Sequence, residues 1–330
     1  MASLSALTET ATITFVDRQP RLSDFRADAL EGLTARPKRL PPKYFYDKRG
    51  SELFERITEL PEYYLTRAEI EILERRAAEI AELIGDEALL IEYGSGASRK
   101  TRILLNALAG RRAKYLAIDI SRQHLEESAE ALAKEYAGLE VFALCADYTQ
   151  PLELPEEALA GIRRRTVFFP GSTIGNFSPG DARKFLRTTA RTAGPGGRLL
   201  LGADLKKDRA LLEAAYNDAA GVTAEFNLNL LARMNRELGA GFEASNFRHR
   251  ARYDEAAGRV EMHLESLSEQ RVRIGGETIA FEAGELIHTE NSHKFGIDEM
   301  QDLARECGFE PEQVWIDAKG LFSVHSMRVG

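Results

Sequence analysis

Between residues 88 and 205, short apolar runs alternate regularly with amphipathic stretches, and this alternation restricts the fold more than any other feature. The apolar runs are ALLIEYG (88–94), KYLAIDI (114–120), EVFALCADY (140–148), TVFFPGST (166–173) and GRLLLGADL (197–205). The stretches between them, such as 98–108 and 124–136, have helical spacing. Runs that are apolar on both faces and separated by helices are typical of parallel strands covered on both sides. The pattern predicts an α/β fold with a doubly wound, Rossmann-like sheet.

The residues that follow position 205 show a different pattern. Helix-like segments at 208–219 and 222–238 lead into segments of alternating or nearly alternating polarity. These segments are FRHRARYD (247–254), RVEMHLESL (259–267), QRVRIGGETIAFEA (270–283) and ELIHTENS (285–292). They predict an inserted antiparallel sheet with helices. A helix over 297–309, with Gly308 at its C-cap, and a terminal hairpin that turns at Lys319-Gly320 complete the prediction.

Two domains are expected from these patterns. Residues 66–205 and 295–330 would form the domain with the parallel sheet and the terminal hairpin. Residues 15–65 and 206–294 would form a second, α+β domain. Within the first, Thr66 and Glu69 predict the N-cap of a helix that runs to Ile84 and stops at Gly85.

Composition excludes several classes of protein. Of 330 residues, 52 are acidic and 44 basic, so a broad phosphate-neutralising surface and a nucleic-acid partner are not expected. No apolar run approaches the roughly 20 residues that cross a bilayer, and no secretory signal is present, so a cytoplasmic protein is expected. Two cysteines form neither a disulfide scaffold nor a zinc motif, and six histidines lack ligand spacing, so no metal is expected.

Two glycines follow the first strand, in the turn Gly94-Ser95-Gly96. Glycine accepts positive φ and lets a ligand approach the backbone, so the turn is a candidate nucleotide site. A dinucleotide-binding turn keeps a third glycine or an alanine where this chain has Arg99. Glu92, just before the turn, suits S-adenosylmethionine (SAM), which has no phosphate for a carboxylate to repel. The turn therefore favours SAM over a dinucleotide.

Acidic residues end the next two strands, namely Asp119 and then Asp147, which Tyr148 follows. Asp119 lies at about the distance beyond Gly94 from which a carboxylate accepts ribose hydroxyls. Asp147 and Tyr148 are placed to bond an adenine amino group and to stack on its ring. The alternative is that each aspartate caps the helix that follows it. The fourth strand leads to Asn176 through small polar residues, either in a ligand pocket or in an ordinary turn.

From about Gly32 to the C-terminus the chain resembles the L-histidine Nα-methyltransferases of ergothioneine biosynthesis. The motifs that carry this resemblance are LPPKYFYD (40–47), LPEYYLTRAE (60–69), EYGSGAS-x-KT (92–101), GSTIGN (171–176), AGVTAEFN (220–227), RVEM (259–262) and TENS-x-KF (289–295). The resemblance implies a SAM-binding Rossmann-like domain and a substrate-recognition domain, which match the two predicted above. It also implies a small-molecule substrate, three methyl transfers that give hercynine, S-adenosylhomocysteine as the second product, no metal and a monomer.

The resemblance also implies a role for each residue of the site. The residues that would hold SAM are Gly94, Gly96, Lys100, Asp119, Asp147 and Tyr148. Those that would hold the carboxylate and α-amino groups of histidine are Tyr63, Asn176 and Tyr216, with the Gly171 backbone nearby. Tyr46 would lie close to the amine and, with Asn176, form the catalytic pair. Glu290 and Ser292 would bind the imidazole, Met262 would pack beside it, and Phe54 would add an aromatic wall.

A physical argument supports the predicted role of Glu290 in binding the imidazole. A buried imidazole N–H needs an acceptor, and leaving that acceptor unpaired costs about 1–3 kcal/mol, so the site would reject apolar side chains. Burial statistics alone would instead make Glu290 a surface carboxylate of a strand, and the resemblance reverses that interpretation. Tyr46, Tyr63 and Tyr64 would equally serve as interface aromatics between the domains.

Three other functions compete with histidine methylation. The first is a methyltransferase of the same family that acts on another amino acid or aromatic amine, such as a tryptophan derivative; Glu290 and Met262 argue against it, because indole would want a smaller, apolar pair. The second is an NAD(P)-dependent oxidoreductase, which Arg99 disfavours. The third is a non-catalytic SAM-sensing or scaffold protein, which the retention of every proposed amino-acid contact disfavours.

Overall fold

The computed structural model describes residues 13–19, 24–94 and 99–330. The strands are β1 (Ile13–Asp17), β2 (Lys38–Arg39), β3 (Ala88–Tyr93), β4 (Lys114–Asp119), β5 (Val141–Cys145), β6 (Arg164–Phe169), β7 (Arg198–Asp204), β8 (Phe247–Asp254), β9 (Arg259–Ser266), β10 (Gln270–Ile274), β11 (Glu277–Phe281), β12 (Leu286–His293), β13 (Phe309–Ile316) and β14 (Phe322–Val329). The α-helices are α1 (Phe25–Thr34), α2 (Lys48–Glu59), α3 (Leu65–Ile84), α4 (Arg99–Ala107), α5 (Arg122–Glu135), α6 (Glu156–Leu159), α7 (Pro179–Ala193), α8 (Arg209–Tyr216), α9 (Val222–Leu238) and α10 (Ile297–Glu306).

Eight strands form one mixed sheet in the order β1-β5-β4-β3-β6-β7-β14-β13. The strands from β1 to β7 in this order pair in parallel, and β14 and β13 are antiparallel. Along β3, Leu90 belongs to one apolar core, whereas Leu89 and Ile91 belong to another. Both faces of the sheet are therefore covered, which explains the uninterrupted apolar runs. The parallel sheet and the terminal hairpin predicted from the sequence are confirmed.

A second, four-stranded sheet has the order β2-β12-β9-β8, and a separate hairpin joins β10 to β11. The segment 270–283, predicted as one run, is this hairpin, because Gly275 and Gly276 turn the chain between its halves. β2 comes from the N-terminal segment and pairs in parallel with β12 at Ile287 and His288. The N-terminal segment and the insertion therefore share a sheet.

The first strand differs from the expectation. β1 pairs in parallel with β5, so residues 15–17 lie at the edge of the large sheet, although the sequence analysis assigned residues 15–65 to the second domain. Five residues at a sheet edge are too few to show a period, which is why their composition did not reveal the strand. The rest of the division into two domains stays a prediction.

Two helix ends also differ from the expectation. α3 begins at Leu65, and its N-cap is Tyr64 without a side-chain hydrogen bond, so the prediction of Thr66 as the cap is wrong. Glu69 does not serve a capping box because it is fully buried and turns toward the sheet. α10 ends at Glu306 with Cys307 as its C-cap, so the prediction of a helix over 297–309 capped by Gly308 is wrong. Gly308 has a φ of 92° and leads into β13, which begins at Phe309.

Candidate active site

A cavity lies where the loop after β6, the aromatic N-terminal segment and the second sheet meet. Its lining includes all nine residues predicted for the amino-acid substrate: Tyr46, Phe54, Tyr63, Gly171, Asn176, Tyr216, Met262, Glu290 and Ser292. These residues come from five separate stretches of chain, namely 46–63, 171–176, 216, 262 and 290–292. The structure therefore brings together side chains whose proximity no local pattern reveals.

Aromatic rings form one wall of the cavity. Phe54 meets Tyr46 and Tyr63 edge to face, with ring centroids 5.7 and 6.3 Å apart, and Tyr63 meets Tyr216 at 6.3 Å. Phe226, which the sequence analysis did not single out, lies 5.8 Å from Tyr46 and completes the wall. Tyr46 is 46% exposed, so it stands at the mouth of the cavity, whereas Tyr63 and Tyr216 are buried.

The opposite wall is built from the second sheet. Glu290 of β12 pairs in register with Met262 of β9, and Ser292, two residues further along, points to the same face. Glu290 is only 7% exposed, so it is not a surface carboxylate. Burial raises the pKa of Glu290 to about 7, although the nearby Lys294 ammonium acts in the opposite direction. A carboxyl group that titrates near neutral pH thus faces the cavity.

A buried polar network that the sequence analysis missed lies behind this wall. The Lys294 ammonium and the Asp204 carboxylate are both fully buried, with Nζ and Oδ2 2.7 Å apart. Tyr64 donates to both Asp204 oxygens at 3.0 Å, and Lys207 also contacts this carboxylate. Tyr64 therefore has a hydrogen-bonding role beside the cavity. Asp204 ends an otherwise apolar strand and Lys294 lies in the TENS-x-KF motif, and these were the signals available in the sequence.

Glu69 connects the cavity with the neighbouring end of the large sheet. The Gly171 N–H donates to its two oxygens at 3.1 and 2.9 Å, and the Lys100 Nζ lies 2.6 Å from Oε2. A Cβ at position 202 of β7 would stand 2.1 Å from Glu69 Oε1, so any side chain there would displace the Glu69 carboxylate. Lys100, predicted to hold the cofactor, is thus fixed by a carboxylate that also holds the backbone of Gly171.

The residues predicted to hold SAM lie along the carboxyl ends of adjacent strands. Gly94 follows β3 with a φ of 76°, and a Cβ there would meet no atom of the described residues within 4 Å. Asp119 ends β4 and Asp147 follows β5, which pairs with β4. Gly96, the second glycine of the turn, lies outside the described residues. Tyr148 stacks on Tyr93, with centroids 5.1 Å apart.

Both aspartates accept local hydrogen bonds, but neither is the N-cap of the helix that follows it, because the N-cap residues of α5 and α6 are Ser121 and Pro155. Asp119 Oδ1 accepts the N–H of Ser121 at 2.7 Å. Asp147 Oδ1 accepts the N–H and the hydroxyl of Thr149 at 2.9 and 2.6 Å. These bonds orient each carboxylate at the edge of the sheet.

The residues around the turn at Gly94 fit SAM better than a dinucleotide. Glu92 is buried just before the turn, where it accepts hydrogen bonds from Thr101 and Tyr115, and burial raises its pKa to about 7. A pyrophosphate at the turn would lie close to this carboxyl group, whereas SAM carries a sulfonium and no phosphate. Across the described residues there is no group of acidic, histidine or cysteine side chains arranged for a metal ion, and no helix is long and apolar enough to cross a membrane.

Comparison with known proteins agrees with this geometry. The model of one family, described as histidine-specific and SAM-dependent methyltransferases, matches residues 25–329. A histidine N-alpha-methyltransferase of Mycobacterium tuberculosis is 45% identical over 304 residues, which are 91% of this chain and 93% of that protein. Ergothioneine biosynthesis protein 1 of Neurospora crassa is 36% identical over 287 residues, 84% of this chain and 32% of the fungal protein.

A relative with a different named substrate also matches. An L-tryptophan methyltransferase of Psilocybe serbica is 30% identical over 332 residues and covers 92% of each chain. The family model nevertheless extends over almost all of this chain, including every residue of the cavity. The protein therefore belongs to the family of histidine-specific, SAM-dependent methyltransferases.

Proposed function

We propose that this protein methylates the α-amino nitrogen of L-histidine three times and so produces hercynine in the first step of ergothioneine biosynthesis. The observation that carries the proposal is the buried Glu290 beside Ser292 in a cavity that adjoins the carboxyl edge of the large sheet. The names of the mycobacterial and Neurospora relatives support it. Membership of the methyltransferase family excludes an NAD(P)-dependent oxidoreductase.

The cofactor would lie at the carboxyl ends of β3, β4 and β5. Asp119 would accept the ribose hydroxyls, while Asp147 and Tyr148 would contact the adenine. Gly94 would let the ligand approach the backbone, and Lys100, fixed by Glu69, would close this end of the site. When bound, SAM supplies an electrophilic methyl group on a sulfonium sulfur.

The cavity would fix histidine at both of its ends. Glu290 would accept one imidazole N–H, and Ser292 would bond the other ring nitrogen, with Met262 packed beside the ring. Tyr63, Asn176 and Tyr216 would hold the carboxylate and α-amino groups. A site that hydrogen-bonds a ring nitrogen rejects apolar analogues strongly because its own polar groups are then left unpaired.

The attacking nitrogen must be a neutral amine, whereas an α-amino group has a pKa of about 8 and is mostly protonated at neutral pH. Tyr46 stands half-exposed at the cavity mouth, so a proton can leave through water beside its hydroxyl. Orienting the nitrogen in line with the transferred carbon would contribute most to the rate acceleration, because good orientation of the reactants lowers the barrier by about 7–11 kcal/mol.

Repeated transfer produces a head group that grows in size and becomes a permanent cation. The cavity meets this group with aromatic rings, among them Tyr46, Phe54 and Tyr63, and not with a fixed positive charge. Aromatic faces stabilise quaternary ammonium groups through cation–π attraction. The lining therefore suits all three stages of methylation. A monomeric, cytoplasmic protein remains our prediction.

Mass spectrometry of the product tests this proposal. Incubation of the protein with L-histidine and excess SAM should convert histidine to a species with three added methyl groups, all of them on the α-nitrogen by fragmentation. A product that stops at one methyl, or that carries methyl on the imidazole, would contradict the proposed orientation. Absence of any methylated product would favour a SAM-sensing scaffold instead.

A further inference from the structure

Lys294 lies just after β12, and its buried ammonium stands behind the wall that carries Ser292. Its Nζ is 2.7 Å from Asp204 Oδ2, 3.0 Å from the Tyr216 hydroxyl and 2.9 Å from Ser292 Oγ. An ammonium has three protons and no acceptor, so these three contacts use all of its donors. Both hydroxyl oxygens must therefore act as acceptors toward Lys294.

This constraint decides how the remaining hydroxyl protons are arranged. The oxygens of Tyr216 and Ser292 are 2.8 Å apart, so one hydroxyl proton lies between them. The two residues have two hydroxyl protons in all. The second is left for a ligand in the cavity, which both residues line. Whichever hydroxyl donates to the other, this corner of the cavity presents a hydrogen-bond donor.

Glu290, on the same strand, presents the opposite kind of group. In its ionised form a carboxylate accepts hydrogen bonds and donates none. The charged and titratable groups that face Glu290 are the phenols of Tyr46, Tyr63 and Tyr216 and the ammonium of Lys294. A donor beside an acceptor matches neutral imidazole, which has one N–H and one unprotonated nitrogen. It does not match imidazolium, which has two N–H groups.

We propose that Lys294 is a positioning residue for substrate recognition: by donating to Ser292 and Tyr216 it directs a hydroxyl proton into the cavity, and so selects neutral imidazole. The inference rests on the proposed function. Lys294 does not touch the substrate; it acts through the two hydroxyl groups.

Lys207 offers a matched control for this proposal. It is a second buried lysine on the same Asp204 carboxylate, but its other hydrogen bond is to Tyr64 and not to a hydroxyl of the cavity lining. Loss of either lysine removes one positive charge from Asp204 and leaves the other in place. The two variants to compare are K294M and K207M. A general effect of charge loss should therefore appear in both, whereas an effect on the orientation of the hydroxyls should appear in K294M alone.

Calorimetric titration of L-histidine in the presence of S-adenosylhomocysteine tests the inference. The titration is run at about pH 7.5, between the pKa of Glu290, which burial raises to about 7, and the pKa of Lys207, which burial lowers to about 8. K294M should weaken histidine binding about tenfold, the effect of one misdirected hydrogen bond. K207M should change it less than threefold, and both variants should bind S-adenosylhomocysteine like the wild type. Equal losses of histidine affinity in K294M and K207M would overturn the inference.

A double-mutant cycle separates positioning from a merely structural effect. In the S292A/Y216F background, K294M should weaken histidine binding less than threefold, because both hydroxyls through which Lys294 acts are gone. A loss of threefold or more in that background would overturn the inference. Should K294M fail to fold, K294M/D204N and K207M/D204N replace the single variants, because removing one lysine and the carboxylate together keeps the net charge of the buried network at its wild-type value. If wild-type protein fails to bind histidine, the proposed function itself is wrong; the two failures are thus distinct.

Discussion

Glu290→Ala should raise the KM for L-histidine by about two orders of magnitude while leaving the affinity for SAM within a factor of about two. The carboxylate is buried in the cavity wall, where it would accept the imidazole N–H. Loss of a charged hydrogen bond, with the ring nitrogen left unsatisfied, costs about 3 kcal/mol. Steady-state kinetics with varied histidine and varied SAM measure both quantities.

Glu261→Ala is the matched control for this variant. Glu261 is a buried carboxylate of the same sheet, but it bonds Arg252 and Arg259 and does not line the cavity. Its loss should leave the KM for histidine unchanged. An equal rise of both KM values in Glu290→Ala would remove the assigned role of that residue.

The pH dependence supplies a second signature of Glu290. Because burial raises the pKa of this carboxyl group to about 7, it becomes an acceptor as the pH rises through 7. Histidine affinity should therefore increase across that range in the wild type. In Glu290→Gln the increase should shrink to the part that comes from the ionisation of histidine itself.

Asp119→Ala should lower the affinity for SAM by about two orders of magnitude, because two hydrogen bonds from ribose hydroxyls to a carboxylate are lost. Calorimetric titration with SAM measures this directly. Asp17→Ala is the matched control: both aspartates lie opposite Cys145 in register, on either side of β5, but Asp17 bonds Arg122. An unchanged SAM dissociation constant in Asp119→Ala would contradict the placement of the nucleoside.

The parallel sheet was predictable because its signal is local. Successive side chains of β3 enter two separate cores, so every position of the strand is apolar except Glu92, which marks its functional end. The helices and the turn at Gly94 were predictable for the same reason, because the residues that indicate them are close together in the sequence. The resemblance to a known family then supplied the nine cavity residues, which lie on elements that no periodicity connects.

The groups that the sequence analysis missed act through partners distant along the chain. Asp204 and Lys294 are 90 residues apart, and nothing local in the sequence shows that they pair until the end of β7 and the residue after β12 are placed together. Glu69 matched the spacing of a capping box, yet it is buried between Lys100 and Gly171. The tertiary contacts of Glu69 override its local propensity to cap the helix, as is common where polar groups are buried near a functional site.

The central claim is that a buried carboxylate makes this methyltransferase select an imidazole-bearing amino acid. A competition experiment tests it most directly: wild-type protein receives equal concentrations of L-histidine and L-tryptophan with limiting SAM, and mass spectrometry quantifies the methylated products. The account predicts that at least about 99% of the methyl groups appear on histidine, the discrimination that about 3 kcal/mol provides. Comparable methylation of tryptophan would contradict it.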